Sequence, residues 1–128
     1  MRLKSNVKED HRPGAFVRSF KYAGIGILTA LKVSRNIKIH CLIALLVILA
    51  GFNFKISPVE FTVLILVIAL VICMEMVNTA VERTIDLLTE KKHIYAKIAK
   101  DVAAGAVLMS VIAAIIIGII IFLPHLIK

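Results

Sequence analysis

The sequence predicts an all-α integral membrane protein, in which an N-terminal amphipathic surface helix precedes three transmembrane helices. The composition is 60% hydrophobic with a mean hydropathy of +0.96, which is too apolar for an ordinary soluble core. Three apolar runs approach or exceed the ~20 residues that a helix needs to cross about 30 Å of hydrocarbon. With 128 residues, the chain is long enough for one domain.

The predicted elements divide a single membrane-embedded domain, residues 1–128. Residues 1–14 form a polar lead that ends in the turn signal Arg12-Pro13-Gly14. Residues 15–35 place apolar and basic side chains on opposite faces of a helix, which is typical of a helix lying in the membrane interface. The predicted membrane helices are residues 37–56, 61–88 and 96–123.

Local signals mark several helix ends. Ser57 is the predicted N-cap of the second membrane helix, with Pro58 at its first helical position. Pro124 is expected to end the third membrane helix at residue 123, since proline disrupts a continuing helix. Four small residues, Ala103–Ala106, permit close helix packing.

The basic residues are distributed unevenly along the chain. Nine of the 16 Lys and Arg precede residue 40, and five more lie between Arg83 and Lys100. The positive-inside rule therefore predicts a cytoplasmic N-terminus and a cytoplasmic second loop, with the C-terminus outside. Nucleic acid is not an expected partner, because no set of aromatic residues accompanies the basic charge.

A polar stripe interrupts the second apolar run at Glu75, Asn78, Glu82 and Asp86. At about 100° per residue, these side chains fall within an arc of roughly 80° on one helix face. An ionised side chain at the centre of a membrane helix costs about 2.5–3.5 kcal/mol on insertion scales. The stripe therefore indicates a function or a structural partner at the level where hydrocarbon meets cytosol.

The stripe has the composition of a phosphoryl-transfer site. Carboxylate and amide oxygens, together with substrate phosphates, can hold Mg²⁺. Lysine side chains near the stripe can offset the charge of the phosphates. Glu75 is the acid deepest in the apolar run, which suits proton abstraction from a lipid alcohol. Three alternatives stay open: a structural carboxylate at Glu75, simple ion pairs of Glu82 and Asp86 with Arg83 and Lys91, and a small multidrug transporter, which normally needs four spans.

Two blocks, Glu75–Asp86 and Ala99–Val107, closely resemble the signature of the prokaryotic diacylglycerol kinase and undecaprenol kinase family. The resemblance covers about residues 15–124, and Arg35-Asn36 with His40 is more similar to the Gram-positive undecaprenol kinase branch. It implies a homotrimeric enzyme of the bacterial plasma membrane, with active sites shared between subunits on the cytoplasmic side. Its expected substrates are ATP and a lipid alcohol in the bilayer, with Mg²⁺ as cofactor.

The resemblance also implies roles by position. Glu75 matches the proposed general base and Glu82 a magnesium ligand, while Asn78 matches an asparagine that lines the site. The residues expected near the nucleotide are Tyr22, Asn78, Lys91, His93, Lys100 and Asp101.

Ser34 departs from the family pattern, which usually has a second metal-binding glutamate before Arg35-Asn36. A hydroxyl at this metal position is a weak, neutral ligand, so we expect weaker magnesium binding and reduced activity. Glu9 and Asp10 are candidates to substitute for the missing acid if the N-terminal lead folds back. The predicted function is phosphorylation of undecaprenol to undecaprenyl phosphate. The alternatives are a diacylglycerol kinase that gives phosphatidic acid and a non-catalytic or impaired kinase paralogue.

Overall fold

The computed structural model describes residues 14–89 and 93–127, and these form four helices. The helices are α1 (Ala15–Val33), α2 (Arg35–Asn53), α3 (Pro58–Leu88) and α4 (Ile94–Leu126). α2, α3 and α4 are each long and apolar enough to cross a membrane. The predicted all-α class with three membrane-spanning helices is therefore confirmed. Residues 1–13, with the candidate acids Glu9 and Asp10, lie outside the described residues.

A single residue separates α1 from α2. Ser34 has extended backbone geometry, with φ −96° and ψ 121°. Its backbone N–H donates to the Ala30 carbonyl at 2.9 Å, which closes the end of α1. Its hydroxyl accepts from the backbone N–H of Ile37 at 3.2 Å, as an N-cap of α2 does. The first membrane helix therefore starts at Arg35, where Ser34 caps it, and not at residue 37.

The turn between α2 and α3 is tightly specified. Lys55 takes a left-handed backbone conformation, φ 52°, two residues after the end of α2 at Asn53. Ser57 and Glu60 then form a reciprocal capping box: the Ser57 N–H donates to the Glu60 carboxylate at 2.7 Å, and the Glu60 N–H donates to the Ser57 hydroxyl at 3.3 Å. The predicted cap at Ser57 and proline at the first helical position are confirmed.

α4 is longer than expected at both ends. It begins at Ile94, two residues earlier than predicted, because the His93 ring accepts a hydrogen bond from the Tyr95 N–H at 3.3 Å. Pro124 does not end the helix, which continues to Leu126. Proline removes the one backbone bond that its missing N–H would donate, and losing one bond in the final turn leaves the last residues helical.

The helices pack around α3. α4 runs along most of α3, and α2 packs against α3 less extensively. A core of Ile56, Leu64 and Ile121, against which Val47 of α2 packs, joins the three helices near the turn between α2 and α3. There the rings of Phe54 and Phe122 meet edge to face, with centroids 5.9 Å apart. The buried contacts at this end of the molecule are apolar, and we call them the apolar junction.

α1 stands apart from this bundle. Every described side chain from Phe16 to Thr29 is exposed, and burial begins only at Ala30. The rings of Phe16 and Phe20 pack on each other, with centroids 4.9 Å apart, but not on the bundle. Its last turns therefore bring α1 to the bundle near Ser34.

Candidate active site

The buried face of α3 is one continuous stripe at helical spacing. Leu64, Val67 and Val71 form its first part and are each at most 6% exposed. Glu75 and Asn78 continue the same stripe and are 2% and 4% exposed. Burial therefore stays constant along the face while the chemistry changes from apolar to polar within one turn.

Glu75 is the most deeply buried acid of the stripe. Its carboxylate Oε1 accepts a hydrogen bond from the Ser34 hydroxyl at 3.3 Å, across 41 residues of sequence. Its backbone carbonyl accepts from the Thr79 hydroxyl at 2.9 Å, one turn further along α3. The break between α1 and α2 is thus held directly against this carboxylate.

Asn78 and Glu82 form the next step of the stripe. The Asn78 amide nitrogen donates to the Glu82 carboxylate Oε1 at 3.2 Å. The Asn78 amide oxygen is buried and has no hydrogen-bond partner among the described residues. A buried oxygen without a partner costs free energy, so this atom is poised to accept from, or to coordinate, a bound group.

A polar pocket of about 280 Å³ lies against this part of α3. It opens at the start of α2, so the α1–α2 break forms one wall and the acidic turns of α3 form the other. It is lined by Val33, Ser34, Arg35, Asn36, Glu75, Thr79, Glu82, Arg83 and Asp86. Two guanidinium groups and three carboxylates therefore surround a space that a polar, charged molecule can enter.

Lys100, a predicted nucleotide contact, lies beside the last acid of the stripe. Lys100 on α4 forms an ion pair with Asp86, with Nζ 2.5 Å from Oδ1. Lys97 pairs with Asp101 one turn along α4. Both pairs are accessible to solvent, and the pair with Asp86 holds Lys100 at the rim of the pocket without burying its charge.

The structure brings together only part of the predicted site. Ser34, Glu75 and Glu82 line the pocket, and Asn78 reaches it through Glu82. Tyr22 is 67% exposed on α1, and His93 is the N-cap of α4. In the described part of one chain, Tyr22, His93, Lys100 and Asp101 do not line this pocket. Lys91 lies outside the described residues.

Some residues that line the pocket, Asn36 and Thr79 among them, had no assigned role from the sequence. Asn36 supported the family resemblance together with Arg35, but its own side chain had no expected place in the site. Thr79 was overlooked because a threonine in an apolar helix reads as a small β-branched residue. Its spacing of four residues from Glu75 was the available signal, since residues four apart share a helix face.

The donor set of the pocket is suited to magnesium. Among the described residues, no three His, Cys, Asp or Glu side chains group closely enough to hold a metal by themselves. Mg²⁺ does not require such a group, because it keeps several waters and binds through one or two carboxylates plus substrate phosphates. The Glu82 carboxylate and the unpartnered Asn78 oxygen provide oxygen ligands of that kind.

Comparison with known proteins identifies the family. Residues 21–122 match the sequence model of the family described as Prokaryotic diacylglycerol kinase. The match includes every residue that lines the pocket. The chain belongs to the prokaryotic diacylglycerol kinase family. The family resemblance seen in the two sequence blocks is therefore confirmed, and the protein is a lipid kinase by family, a class of enzyme that uses ATP.

Individual relatives agree with this assignment. An undecaprenol kinase of Bacillus subtilis is 42% identical over 120 residues, which are 92% of this chain and 98% of the relative. A diacylglycerol kinase of Synechocystis is 42% identical over 111 residues, 86% of this chain but 63% of the relative. A diacylglycerol kinase of Haemophilus influenzae is 29% identical over 104 residues, 81% of this chain and 86% of the relative.

Proposed function

We propose that this protein transfers the γ-phosphate of ATP to undecaprenol and so forms undecaprenyl phosphate. The Bacillus relative named undecaprenol kinase matches nearly the full length of both chains, which favours this lipid alcohol. The observation that carries the proposal is the buried Glu75 carboxylate, which lies in the polar pocket one turn beyond the apolar face of α3. A hydroxyl group attached to a hydrocarbon tail meets a base at such a boundary.

In the proposed reaction, Glu75 accepts the proton of the lipid hydroxyl. The hydroxyl oxygen forms a bond to the γ-phosphorus, and the bond from that phosphorus to the β–γ bridging oxygen breaks to release ADP. General bases contribute typically 10²–10⁴-fold to such steps. The Ser34 hydroxyl, which donates to Glu75 Oε1, orients the carboxylate.

The remaining predicted residues are proposed to hold the nucleotide. Lys100 would offset phosphate charge, since its partner Asp86 is exposed and the ion pair exchanges readily for a phosphate. Arg35 and Arg83, which line the pocket, add guanidinium groups suited to phosphate oxygens. Nucleotide contacts are also proposed for Tyr22, Asn78, Lys91, His93 and Asp101.

Magnesium is proposed to be held by Glu82, with the amide oxygen of Asn78 nearby. When bound with ATP, magnesium would offset the negative charge of the phosphates. Ser34 was the second predicted ligand, and its hydroxyl already accepts from the Ile37 N–H and donates to Glu75. We therefore propose Ser34 at most as a neutral outer contact to the ion, with Glu82 as the anionic ligand.

A homotrimer with shared sites completes this proposal. The pocket of about 280 Å³ lies just below the ~300–1,000 Å³ usual for ligand sites, too small for a nucleotide and a lipid headgroup together. Within one chain, only 11%, 22% and 17% of the apolar stretches of α2, α3 and α4 are buried, which leaves room for neighbouring subunits. A cytoplasmic N-terminus and α1 lying in the interface of the bacterial plasma membrane agree with the basic charge around the pocket.

The decisive test is phosphate transfer in reconstituted vesicles. Purified protein is supplied with ATP labelled with ³²P at the γ position, magnesium, and either undecaprenol or no added alcohol. The proposal predicts labelled lipid that depends on undecaprenol. Label that stays in the aqueous phase for every lipid tested would contradict it and favour a non-catalytic nucleotide-binding paralogue.

Diacylglycerol is the second candidate acceptor, because the Synechocystis and Haemophilus relatives are named diacylglycerol kinases. The same vesicles loaded with diacylglycerol, at matched mole fraction, distinguish the two. We expect a higher kcat/KM with undecaprenol. A preference for diacylglycerol would change the assigned substrate but not the assigned chemistry.

A further inference from the structure

We propose that Ser34 is a positioning residue that orients the Glu75 carboxylate through its hydroxyl, and that this is its main contribution to turnover. The inference rests on the proposed role of Glu75 as the proton acceptor. It assigns a use to the residue that departs from the family pattern. It also separates that use from magnesium binding.

Ser34 is fixed in place by three hydrogen bonds of different kinds. Its N–H closes α1 on the Ala30 carbonyl at 2.9 Å, and its hydroxyl accepts from the Ile37 N–H at 3.2 Å to cap α2. The hydroxyl proton is then directed to Glu75 Oε1 at 3.3 Å. Because the first two bonds set both the backbone and the hydroxyl oxygen, the third has a defined direction.

Glu75 needs such a partner because it is 2% exposed. A buried carboxylate without hydrogen bonds is costly, and its orientation is free to vary. Within residues 14–89 and 93–127, the Ser34 hydroxyl is the one donor that reaches this carboxylate. The 3.3 Å distance is long for an O–H···O bond, as is common for catalytic hydrogen bonds before substrate binds.

The bonding of the Ser34 hydroxyl argues against a metal ligand as its main role. A serine hydroxyl has one proton and two lone pairs. The hydroxyl donates its proton to Glu75 and accepts from the Ile37 N–H with one lone pair. One lone pair on an uncharged oxygen is then left for a metal ion. Glu82, by contrast, has no ion pair among the described residues, so its carboxylate is available to a cation.

Three substitutions of Ser34 separate capping from positioning. Ser34→Ala removes both, because alanine neither caps nor donates. Ser34→Gly keeps most of the capping preference but lacks the hydroxyl, and Ser34→Thr keeps both. We expect Ser34→Ala and Ser34→Gly each to lower kcat about tenfold or more, as loss of a hydrogen bond to a charged group does. The magnesium concentration for half-maximal rate stays unchanged, and Ser34→Thr restores most of the lost kcat.

The assay in vesicles measures kcat, the KM values for ATP and for lipid, and the dependence of the rate on magnesium concentration. Thermal unfolding shows that each variant is folded, and rates are given per mole of folded protein. Ser110→Ala is the matched control: this serine is 6% exposed, but its hydroxyl bonds to the Val107 carbonyl of its own helix. Wild-type kcat in Ser34→Gly would reduce Ser34 to a helix cap and overturn the proposal. A raised magnesium requirement at unchanged kcat would overturn it in favour of a metal ligand. A wild type that transfers no phosphate would overturn the proposed function as well.

Discussion

The buried stripe of α3 is equally buried in the two halves of the helix, but its side chains are apolar in one half and polar in the other. Towards Pro58, the buried stripe is Leu64, Val67 and Val71, and Leu64 is part of the apolar junction with α2 and α4. Towards Leu88, the same stripe presents Glu75 to the polar pocket, and Asn78 is bonded to the pocket residue Glu82. Helical spacing is continuous through the change, so one helix serves as a structural element at one end and a reactive element at the other.

The difference shows which half of α3 stabilises the packing of the helices and which half reduces that stability. The apolar half forms contacts that fix α2, α3 and α4 relative to one another, and removing them should affect folding before chemistry. The polar half contains a buried carboxylate with one donor and an amide oxygen with no partner in the described structure, both of which cost stability. Strained or unsatisfied groups of this kind concentrate at functional sites.

The largest expected effect outside Glu75 is in the polar half, at the proposed magnesium ligand. Replacing Glu82 by Ala should raise the magnesium concentration needed for half-maximal turnover roughly tenfold or more, since even outer partners of a metal site are worth 10–100-fold. Thermal unfolding should change little, because Glu82 is only partly buried. Magnesium titrations of phosphate transfer test this. An unchanged magnesium requirement would remove Glu82 from the metal site.

In the apolar half, Leu64→Ala should mainly lower stability. Leu64 is 1% exposed, and the lost packing should reduce the free energy of unfolding by about 2 kcal/mol, the low end for core leucines, because lipid replaces water as the alternative surroundings. Leu66→Ala, at a leucine that is 65% exposed on the same helix, is the control. Denaturant titration in detergent distinguishes the two. Equal losses at both positions would mean that this face is not the packed one.

Gly51 tests how tightly the apolar junction is closed. A methyl group added there would lie 3.1 Å from both Ile56 Cδ1 and Phe61 Cε2, whereas at Gly24 nothing lies within 4 Å. Alanine favours a helix at both positions, so Gly24→Ala should stabilise. The change in the free energy of unfolding for Gly51→Ala should be less favourable than that for Gly24→Ala by about 1 kcal/mol, because the added methyl group overpacks the junction. Identical shifts of the unfolding temperature in the two variants would show that the apolar junction accommodates the added methyl group without strain.

The smallest expected effect is at the rim, where Lys100 pairs with Asp86. Both side chains are more than one-third exposed, so solvent screens the pair. A double-mutant cycle with Asp86→Asn and Lys100→Met should give a coupling below about 1 kcal/mol in unfolding free energy. A much larger coupling energy would mean that the ion pair stabilises the fold, and that Lys100 does not readily leave Asp86 to contact a phosphate.

The sequence predicted the framework well because that framework is local or periodic. Hydropathy located the three membrane helices, and the capping box of Ser57 and Glu60 follows from four adjacent residues. The polar stripe was visible because helical spacing decides which side chains share a face.

The rest depended on tertiary contacts that spacing does not encode. The family resemblance placed Ser34 in one site with Glu82, but nothing in the residue spacing indicates that its hydroxyl bonds to Glu75 across 41 residues. The pairing of Asp86 with Lys100 required the registry of α3 against α4. Pro124 was read as a helix end by a rule that holds in helix interiors but fails in the final turn.

The central claim is that the buried acid of α3 performs chemistry, and its most direct test compares two glutamates of that helix. Glu75→Gln and Glu60→Gln are assayed side by side for ³²P transfer from ATP to undecaprenol in vesicles. Glutamine still accepts the capping-box hydrogen bond at residue 60, so Glu60→Gln should keep wild-type turnover. Glu75→Gln should lose at least about a hundredfold while remaining folded. Full turnover in folded Glu75→Gln protein would contradict the account.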